Sequence, residues 1–238
     1  MSGHSKWATI KRAKAITDAK KGKAFTKVAK NITVAVRTGG GADPTFNFQL
    51  RMAMDKAKEV GMPKENVERA INRGKGEGKD AIQSVTYEGY GPAGSAFIVE
   101  AVTDNSNRTL QSVRNIFNKL GGRMGEQGSV AWMFENKGQI LVEKQKGLED
   151  LPLELIDQGV EDVKETEEGL EIYTLPIDLE KTKKFIESKG LKVLSSEPIM
   201  RPQQSVELSE SDLVKVQALI DALEDDDDVV AVHSNVNL

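Results

Sequence analysis

The stretch Lys20–Gly41, KKGKAFTKVAKNITVAVRTGGG, predicts a helix with two different faces. Its apolar side chains recur about every 3.6 residues, which places them on one side of an α-helix. The basic side chains fall on the opposite side: Lys20, Lys23, Lys27, Lys30 and Arg37. Three consecutive glycines then end the helix, because glycine readily adopts the conformations found just past a helix C-terminus.

Two further helices follow in the same module. Asp43 and Pro44 have the residue types of an N-cap and a first helical position, so they predict the start of a second helix with Phe46 and Leu50 on its buried stripe. Gly61 ends this helix, and Pro63 opens a third. Residues 1–80 are therefore predicted to form a three-helix domain, with residues 1–19 as a mobile arm.

The remainder of the chain alternates between strand and helix patterns. From residue 136 to 203 the order is βαββαβ, the split βαβ pattern of ferredoxin-like folds. The flanking pieces also spell βαβ…βαβ, with strands at 96–103, 129–134, 204–208 and 229–236. We therefore predict an α+β fold: an N-terminal three-helix domain followed by two ferredoxin-like α/β domains, one inserted in the other. The host is 81–135 plus 204–238 and the insert is 136–203; two sequential domains are the alternative.

Charge is segregated along the chain, although the net charge is only −4. Residues 1–80 carry 18 Lys and Arg against 8 Asp and Glu, whereas the other residues carry 15 against 29. Such a molecule presents its basic end to a polyanion and keeps its acidic body away from it. The sequence therefore predicts a nucleic-acid partner, provided that the lysines are open to solvent.

Residues able to support catalysis are scarce. The chain has no cysteine, and its two histidines, His4 and His233, lie at opposite ends of the sequence. Gly89–Gly94 matches G-x-G-x-x-G, but a strand follows it where a dinucleotide site needs a helix, so a tight turn is predicted. The acidic run Glu224–Asp228 lacks the alternating spacing of a calcium loop and is predicted to be solvated. We expect no enzyme activity, cofactor, metal or small-molecule substrate.

Hydrophobicity predicts a cytoplasmic protein with no membrane partner. No apolar run approaches the roughly 18 residues that span a bilayer, and the basic N-terminus lacks the apolar segment of a secretory signal. Trp132 and Phe134 fall in an apolar stretch, so at least one of them is expected in the core. Trp7 lies among basic residues, where stacking on an unpaired base and packing on the helices are equally good interpretations.

Lysine outnumbers arginine in the basic module, and lysine acts as a point charge toward phosphate more than as a reader of bases. Contacts to the nucleic-acid backbone are therefore better supported than sequence recognition. The candidate contact residues are Lys6, Trp7, Lys11, Arg12, Lys14, Lys20, Lys21, Lys23, Lys27, Lys30, Arg37, Arg51, Arg69 and Arg73.

Several motifs together resemble the YebC/PmpR family over essentially the whole chain. They are Ser2–Lys11, Asp18–Lys23, Phe25–Lys27, Gly39–Gly41, Met62-Pro63, Arg69–Gly74, Tyr87–Pro92, Asp104-Asn105, Asn107–Thr109, Gly128–Ala131 and Leu223–Asp228. Four positions depart from the family pattern. Thr9 stands where Asn is usual, Ala93 where Gly is usual, and Phe48-Gln49 where Pro-Arg is common, which removes one expected backbone contact at Gln49.

The resemblance implies a helical N-terminal domain and two α/β domains, and a function as a DNA-binding transcriptional regulator. Some members of the family, including a mitochondrial translational activator of cytochrome oxidase, are linked to ribosomes instead. Duplex DNA and ribosomal RNA therefore both remain as targets. The basic arm and the lack of an obvious recognition helix favour RNA, whereas the family description favours DNA. A third interpretation is a protein-interaction adaptor that binds partners through its acidic α/β domains.

Overall fold

The computed structural model describes residues 18–76, 82–145, 148 and 151–237, which form two compact units. One unit comprises the described residues up to Trp132 together with those from Gln204 onward, and the other comprises Met133–Gln203. Helices come first and two antiparallel sheets follow, so the predicted α+β class is confirmed. Over the described ranges, no helix has both the length and the apolar character needed to cross a bilayer.

The described part of the N-terminal module, from Asp18 onward, contains three helices. They are α1 (Asp18–Thr38), α2 (Phe48–Glu59) and α3 (Lys64–Lys75). Because the apolar side chains of α1 share one face, they pack against both other helices and close a small core of their own. The buried members of that core are Val28, Ile32, Ala35, Val36, Leu50, Ala57 and Ala70. The predicted arm, residues 1–19, lies outside the described part of the chain except for its last two residues, which already belong to α1.

The second helix begins later than predicted because Asn47, not Asp43, caps it. The Asn47 side-chain oxygen accepts a hydrogen bond from the backbone N–H of Leu50 at 2.9 Å, and its amide donates to the carbonyl of Ala35 at 2.7 Å. This buried amide therefore ties the start of α2 to the end of α1. Phe46, which was expected on the buried stripe, is 84% exposed.

Among the residues described after the module, there are eight strands and four further α-helices. The strands are β1 (Gln83–Tyr90), β2 (Ala96–Thr103), β3 (Arg123–Met124), β4 (Phe134–Glu143), β5 (Asp162–Glu165), β6 (Gly169–Thr174), β7 (Val193–Pro202) and β8 (Val229–Ser234). The helices are α4 (Ser106–Lys119), α5 (Leu151–Asp157), α6 (Leu179–Ser188) and α7 (Glu210–Asp225).

The first sheet has the order β3-β1-β2-β8 with antiparallel neighbours, and its core is formed with α4 and α7. Its inner strand β1 was missed by the sequence analysis. The predicted strand at 129–134 is wrong, because 131–133 is a 3₁₀ turn and the next strand begins at residue 134. The predicted strand at 204–208 is reduced to a single bridge between Val206 and Val236. Along the chain, the order of elements in the host is therefore ββαβ…αβ. In the sheet, β1 takes the position between β2 and β3 that was expected for the strand at 204–208.

The second unit is a ferredoxin-like sheet of order β5-β6-β4-β7, in which every neighbouring pair is antiparallel. Each of its helices connects two strands that are separated by one intervening strand, which is the split βαβ arrangement. The unit begins at residue 133, close to the predicted insert start at 136, and ends at residue 203.

The buried carboxylate of Glu88, on β1, holds the segment that leads into the turn at 131–133. Glu88 is 6% exposed and accepts hydrogen bonds from the backbone N–H groups of Gly128, Val130 and Ala131 at 2.6, 2.7 and 2.8 Å. Burial alone would raise the pKa of Glu88, but the three donors outweigh burial and lower it. The amides that would pair in a strand are bound to this side chain instead.

Glu88→Gln is expected to lower the free energy of unfolding by on the order of 2 kcal/mol, because a neutral amide places a donor against amide donors that need an acceptor. Urea denaturation of the variant at neutral pH would measure the change. The matched control is Glu126→Gln, at an exposed position in the same loop, which should leave the midpoint unchanged. Equal midpoints for both variants would show that Glu88 does not hold the loop.

Candidate nucleic-acid interface

The basic face of α1 meets the end of α7 and the loop after it. Lys23 Nζ lies 2.6 Å from a carboxylate oxygen of Asp225, and Lys27 donates to the carbonyl oxygen of Glu224. The hydrogen bond to Asp225 raises the pKa of Lys23. Burial lowers the pKa of Lys27, although the neighbouring carboxylate of Glu224 opposes that effect. Two of the predicted phosphate-binding lysines are therefore occupied by acceptors of the same chain.

A third lysine enters a more buried cluster. Lys30 Nζ lies 2.6 Å from the carboxylate of Asp228, which is 8% exposed and also accepts from Thr109 Oγ1 at 2.7 Å and Arg108 at 3.1 Å. Burial works to raise the pKa of Asp228, but the hydrogen bonds from Lys30, Thr109 and Arg108 outweigh it and lower the pKa to about 2. The expectation that Glu224–Asp228 is a solvated loop is wrong for Asp228.

The negative charge at the C-terminus of α7 explains why lysines of α1 lie against it. A helix C-terminus carries a partial negative charge, so carboxylates there are unfavourable and cations are favourable. The last turn of α7 contains no basic residue, yet the acidic run begins within it. Lys23, Lys27 and Lys30 lie four and three residues apart on one face of α1, so they supply the missing cations together. Acids at the end of a helix that lacks its own bases are a sequence signal that could have revealed this contact.

Two predicted contact residues bind backbone carbonyls of the same chain. Arg51 donates to the backbone carbonyl of Pro44 at 2.7 Å, and its guanidinium lies 5.8 Å from the centre of the Phe48 ring. Arg37 reaches the carbonyl oxygen of Ile82 at 3.5 Å. At position 49, where the family commonly has arginine, Gln49 accepts a hydrogen bond from the Thr38 hydroxyl at 2.9 Å.

A groove between α1 and α3 brings two further candidates together with Lys30. Arg69 and Arg73 extend from α3, and Lys30 lines the same groove from α1. The groove has a volume of about 450 Å³, and its walls combine these cations with apolar side chains. Its other lining residues are Phe25, Thr26, Ala29, Thr33, Met62, Asn66, Ala70 and Ile82.

Close packing of the two helices fixes the width of this groove. A Cβ on Gly74 of α3 would lie only 2.6 Å from the Cβ of Val36, so glycine is required where the helices cross. The buried hydroxyl of Thr33 also joins them, donating to the carbonyl of Ala70 at 3.2 Å. Arg69 is exposed and is oriented along its own helix by Asn66 and the Glu65 carbonyl.

The remaining predicted contacts divide into two groups. Lys21 is exposed in the first turns of α1. Six others lie outside the described part of the chain, with Lys20 outside it for its side chain only. These six are Lys6, Trp7, Lys11, Arg12, Lys14 and Lys20.

Other motifs resolve in simpler ways. Gly89–Gly94 spans the end of β1 and a 3₁₀ turn before β2, so the predicted tight turn is confirmed. Ala93 in that turn has a φ of 55°, in the left-handed region that favours glycine. This explains why glycine is usual at this position in the family that the sequence resembles. Phe134 is buried whereas Trp132 is 67% exposed. Among the described residues, no group of three or more His, Asp or Glu side chains has the arrangement of a metal site.

The chain joins a basic helical module to acid-rich α/β sheets, and comparison with known sequences identifies its family. Residues 5–77 match the description "TACO1/YebC protein N-terminal domain", and residues 82–236 match "TACO1/YebC second and third domain". The chain belongs to the TACO1/YebC family, which confirms the resemblance found in its motifs.

Similar proteins cover the chain from end to end. A protein of Caldanaerobacter subterraneus subsp. tengcongensis, named a probable transcriptional regulatory protein, is 48% identical over 241 residues, spanning 100% of this chain and 99% of its own. A protein of Chloroflexus aggregans with the same description is 46% identical over 242 residues, spanning 100% and 96%. The crystal structure of a conserved hypothetical protein from Aquifex aeolicus superposes with a TM-score of 0.83 at 42% identity, covering 93% of this chain and 92% of that one.

Asp228→Asn is expected to lower the free energy of unfolding at pH 7 by on the order of 2 kcal/mol, at about 1.4 kcal/mol per pKa unit. Because folding lowers this pKa from 3.8 to about 2, the contribution is complete above pH 4 and is lost as the pH falls toward 2. Urea denaturation of both proteins across that range should therefore show their stabilities converging. Asp227→Asn, at an exposed neighbouring side chain, is the control and should follow the wild type throughout.

Proposed function

We propose that this protein is a non-catalytic, cytoplasmic regulator that binds nucleic acid through its N-terminal helical module. Its relatives are named probable transcriptional regulatory proteins, which supports a regulatory role. Charge segregation supports the choice of module, because residues 1–80 hold 18 basic residues against 8 acidic ones. Cationic side chains that neutralise phosphates release counterions, and this release drives binding at physiological salt.

The observation that carries the proposal is the convergence of Arg69, Arg73 and Lys30 on one groove. Arginine forms two parallel hydrogen bonds with a phosphate, so a pair of arginines on one helix face suits a sugar–phosphate backbone. The apolar residues Phe25, Met62 and Ile82 line the same groove and could contact a base or a sugar. The best-supported contact residues therefore lie on α3 rather than along α1 alone.

The first candidate target is duplex DNA near regulated genes, which follows the names of the relatives. The second candidate is ribosomal RNA, and a specific observation favours it: a groove with an apolar lining and a cationic edge suits an unpaired nucleotide better than a stacked duplex. The sequence-based candidates in the first 21 residues would extend either surface. They are Lys6, Trp7, Lys11, Arg12, Lys14, Lys20 and Lys21.

The rest of the molecule has a supporting role in this proposal. Residues 81–135 with 204–238 form the host and 136–203 the insert, and both are acidic enough to avoid the phosphate backbone themselves. Their exposed surfaces are free for a protein partner. No cofactor or small-molecule substrate enters the proposed mechanism.

The double variant Arg69→Glu with Arg73→Glu is expected to weaken nucleic-acid binding at least about tenfold at about 0.15 M salt. The slope of log affinity against log salt concentration should also become shallower, by the amount expected for the loss of about two phosphate contacts. Fluorescence anisotropy with a labelled duplex and with a single-stranded RNA of the same sequence measures both effects. The affinities of the wild-type protein for the duplex and for the RNA also show which of the two candidate targets it binds more tightly.

Lys58→Glu with Lys64→Glu is the matched control, because it reverses two exposed charges of the same module away from the groove. Circular dichroism should be unchanged for both double variants. An equal loss of affinity in the control would assign binding to net charge alone, and no loss in the Arg69 and Arg73 variant would eliminate the groove.

A further inference from the structure

The helical module and the first sheet have separate hydrophobic cores. Every buried residue in the module's core lies between Val28 and Ala70, and every one in the sheet's core lies between Tyr87 and Val236. Hydrogen bonds between the two parts join lysines of α1 to the end of α7, and Arg37 to the Ile82 carbonyl. The two cores therefore have no buried apolar residue in common.

The polar contact has an outer and an inner part of different strength. In the outer part, Lys23 pairs with Asp225, whose side chains are 44% and 74% exposed, and Lys27 donates to the Glu224 carbonyl. Ion pairs in such exposed positions contribute little to stability and weaken with salt. In the inner part, Lys30 and Asp228 are largely buried and hydrogen-bonded. The outer contacts can therefore open while the inner pair holds.

The acceptors in the outer contact have the same chemistry as a nucleic-acid backbone. Lys23 and Lys27 reach one carboxylate and two main-chain carbonyls at the negative end of α7, and a phosphate would offer charged oxygens to the same ammonium groups. Phosphate is the stronger acceptor for Lys27, which is partly desolvated against a neutral carbonyl in the present arrangement.

We propose that the Glu224–Asp225 end of α7 is an internal competitor for phosphate, which occupies Lys23 and Lys27 until a nucleic-acid backbone displaces it. This inference rests on the proposed function and adds its regulation: the two lysines become a second phosphate-binding surface beside the α1–α3 groove. Affinity then depends on how firmly the chain's own acidic segment holds the lysines. Weakening that segment strengthens binding.

Asp225→Asn tests the competitor with little risk to the fold, because this side chain is 74% exposed. The variant is expected to bind labelled duplex or RNA about threefold or more tightly than wild type, which corresponds to losing one exposed ion pair. Asp221→Asn is the matched control: it removes the same charge one turn earlier on α7, from a side chain that accepts from Gln217. The expected result is tighter binding by Asp225→Asn than by Asp221→Asn.

A crosslink tests the opening itself. The chain has no cysteine, so Lys23→Cys with Asp225→Cys introduces a single reactive pair that a short bismaleimide can bridge. The bridged protein should bind about tenfold more weakly than the same variant capped on each thiol by a monomaleimide, since Lys27 is then kept on its internal acceptor.

The outcomes separate the two proposals. If Asp225→Asn and Asp221→Asn bind with equal affinity, or if bridged and capped protein do, the competitor proposal is wrong. The proposed function still holds in that case, provided that the wild-type protein binds nucleic acid. Wild-type protein that binds neither duplex nor RNA overturns both.

Discussion

The contact between three lysines of α1 and the acidic end of α7 is the constraint on which the arrangement of the first unit depends. Helix α7 ends in carboxylates without a base of its own, and its carbonyls there already carry partial negative charge. Lys23, Lys27 and Lys30 supply the cations from a helix nearly two hundred residues earlier in the chain. The opposite charges of the two ends of the sequence are thereby brought together in space.

This contact changes how the basic module is interpreted. A lysine-rich helix in an acidic chain has two physical uses, to bind an external polyanion and to neutralise the chain's own acids. Lys30, held by the buried Asp228, belongs mainly to the second use. Arg69 and Arg73, on the groove between α1 and α3, fit the first. Lys23 and Lys27 lie in exposed or half-buried contacts and are suited to both.

Local patterns predicted much of the fold. The helical period of α1, its glycine stop and the βαββαβ order of residues 136–203 were all readable from neighbouring residues, because side chains three to four positions apart share a helix face. The start of α2 and the path of residues 129–134 were not. Asn47 is fixed by Ala35, and residues 128–131 are fixed by Glu88 some forty positions away. Strand β1 was missed because its apolar alternation is short, with only Val85 and Tyr87 facing the core.

The candidate site was predicted less well than the fold for the same reason. Charge counts singled out the N-terminal module as the candidate, but they could not show which of its lysines are held by acceptors of the same chain. Asp228 is the clearest case, since it reads as one of four consecutive aspartates and yet is the buried acceptor of Lys30, Arg108 and Thr109. A run of like residues conceals which one is structurally distinct.

The two separate cores of the first unit also affect how the sequence can drift over time. A change of side-chain volume in one core needs no direct compensation in the other, because the two cores have no buried residue in common. A boundary of lysines and carboxylates lies between them. Among relatives, we expect apolar positions to vary independently on its two sides, while a lysine lost from α1 is matched by a lost acid after α7.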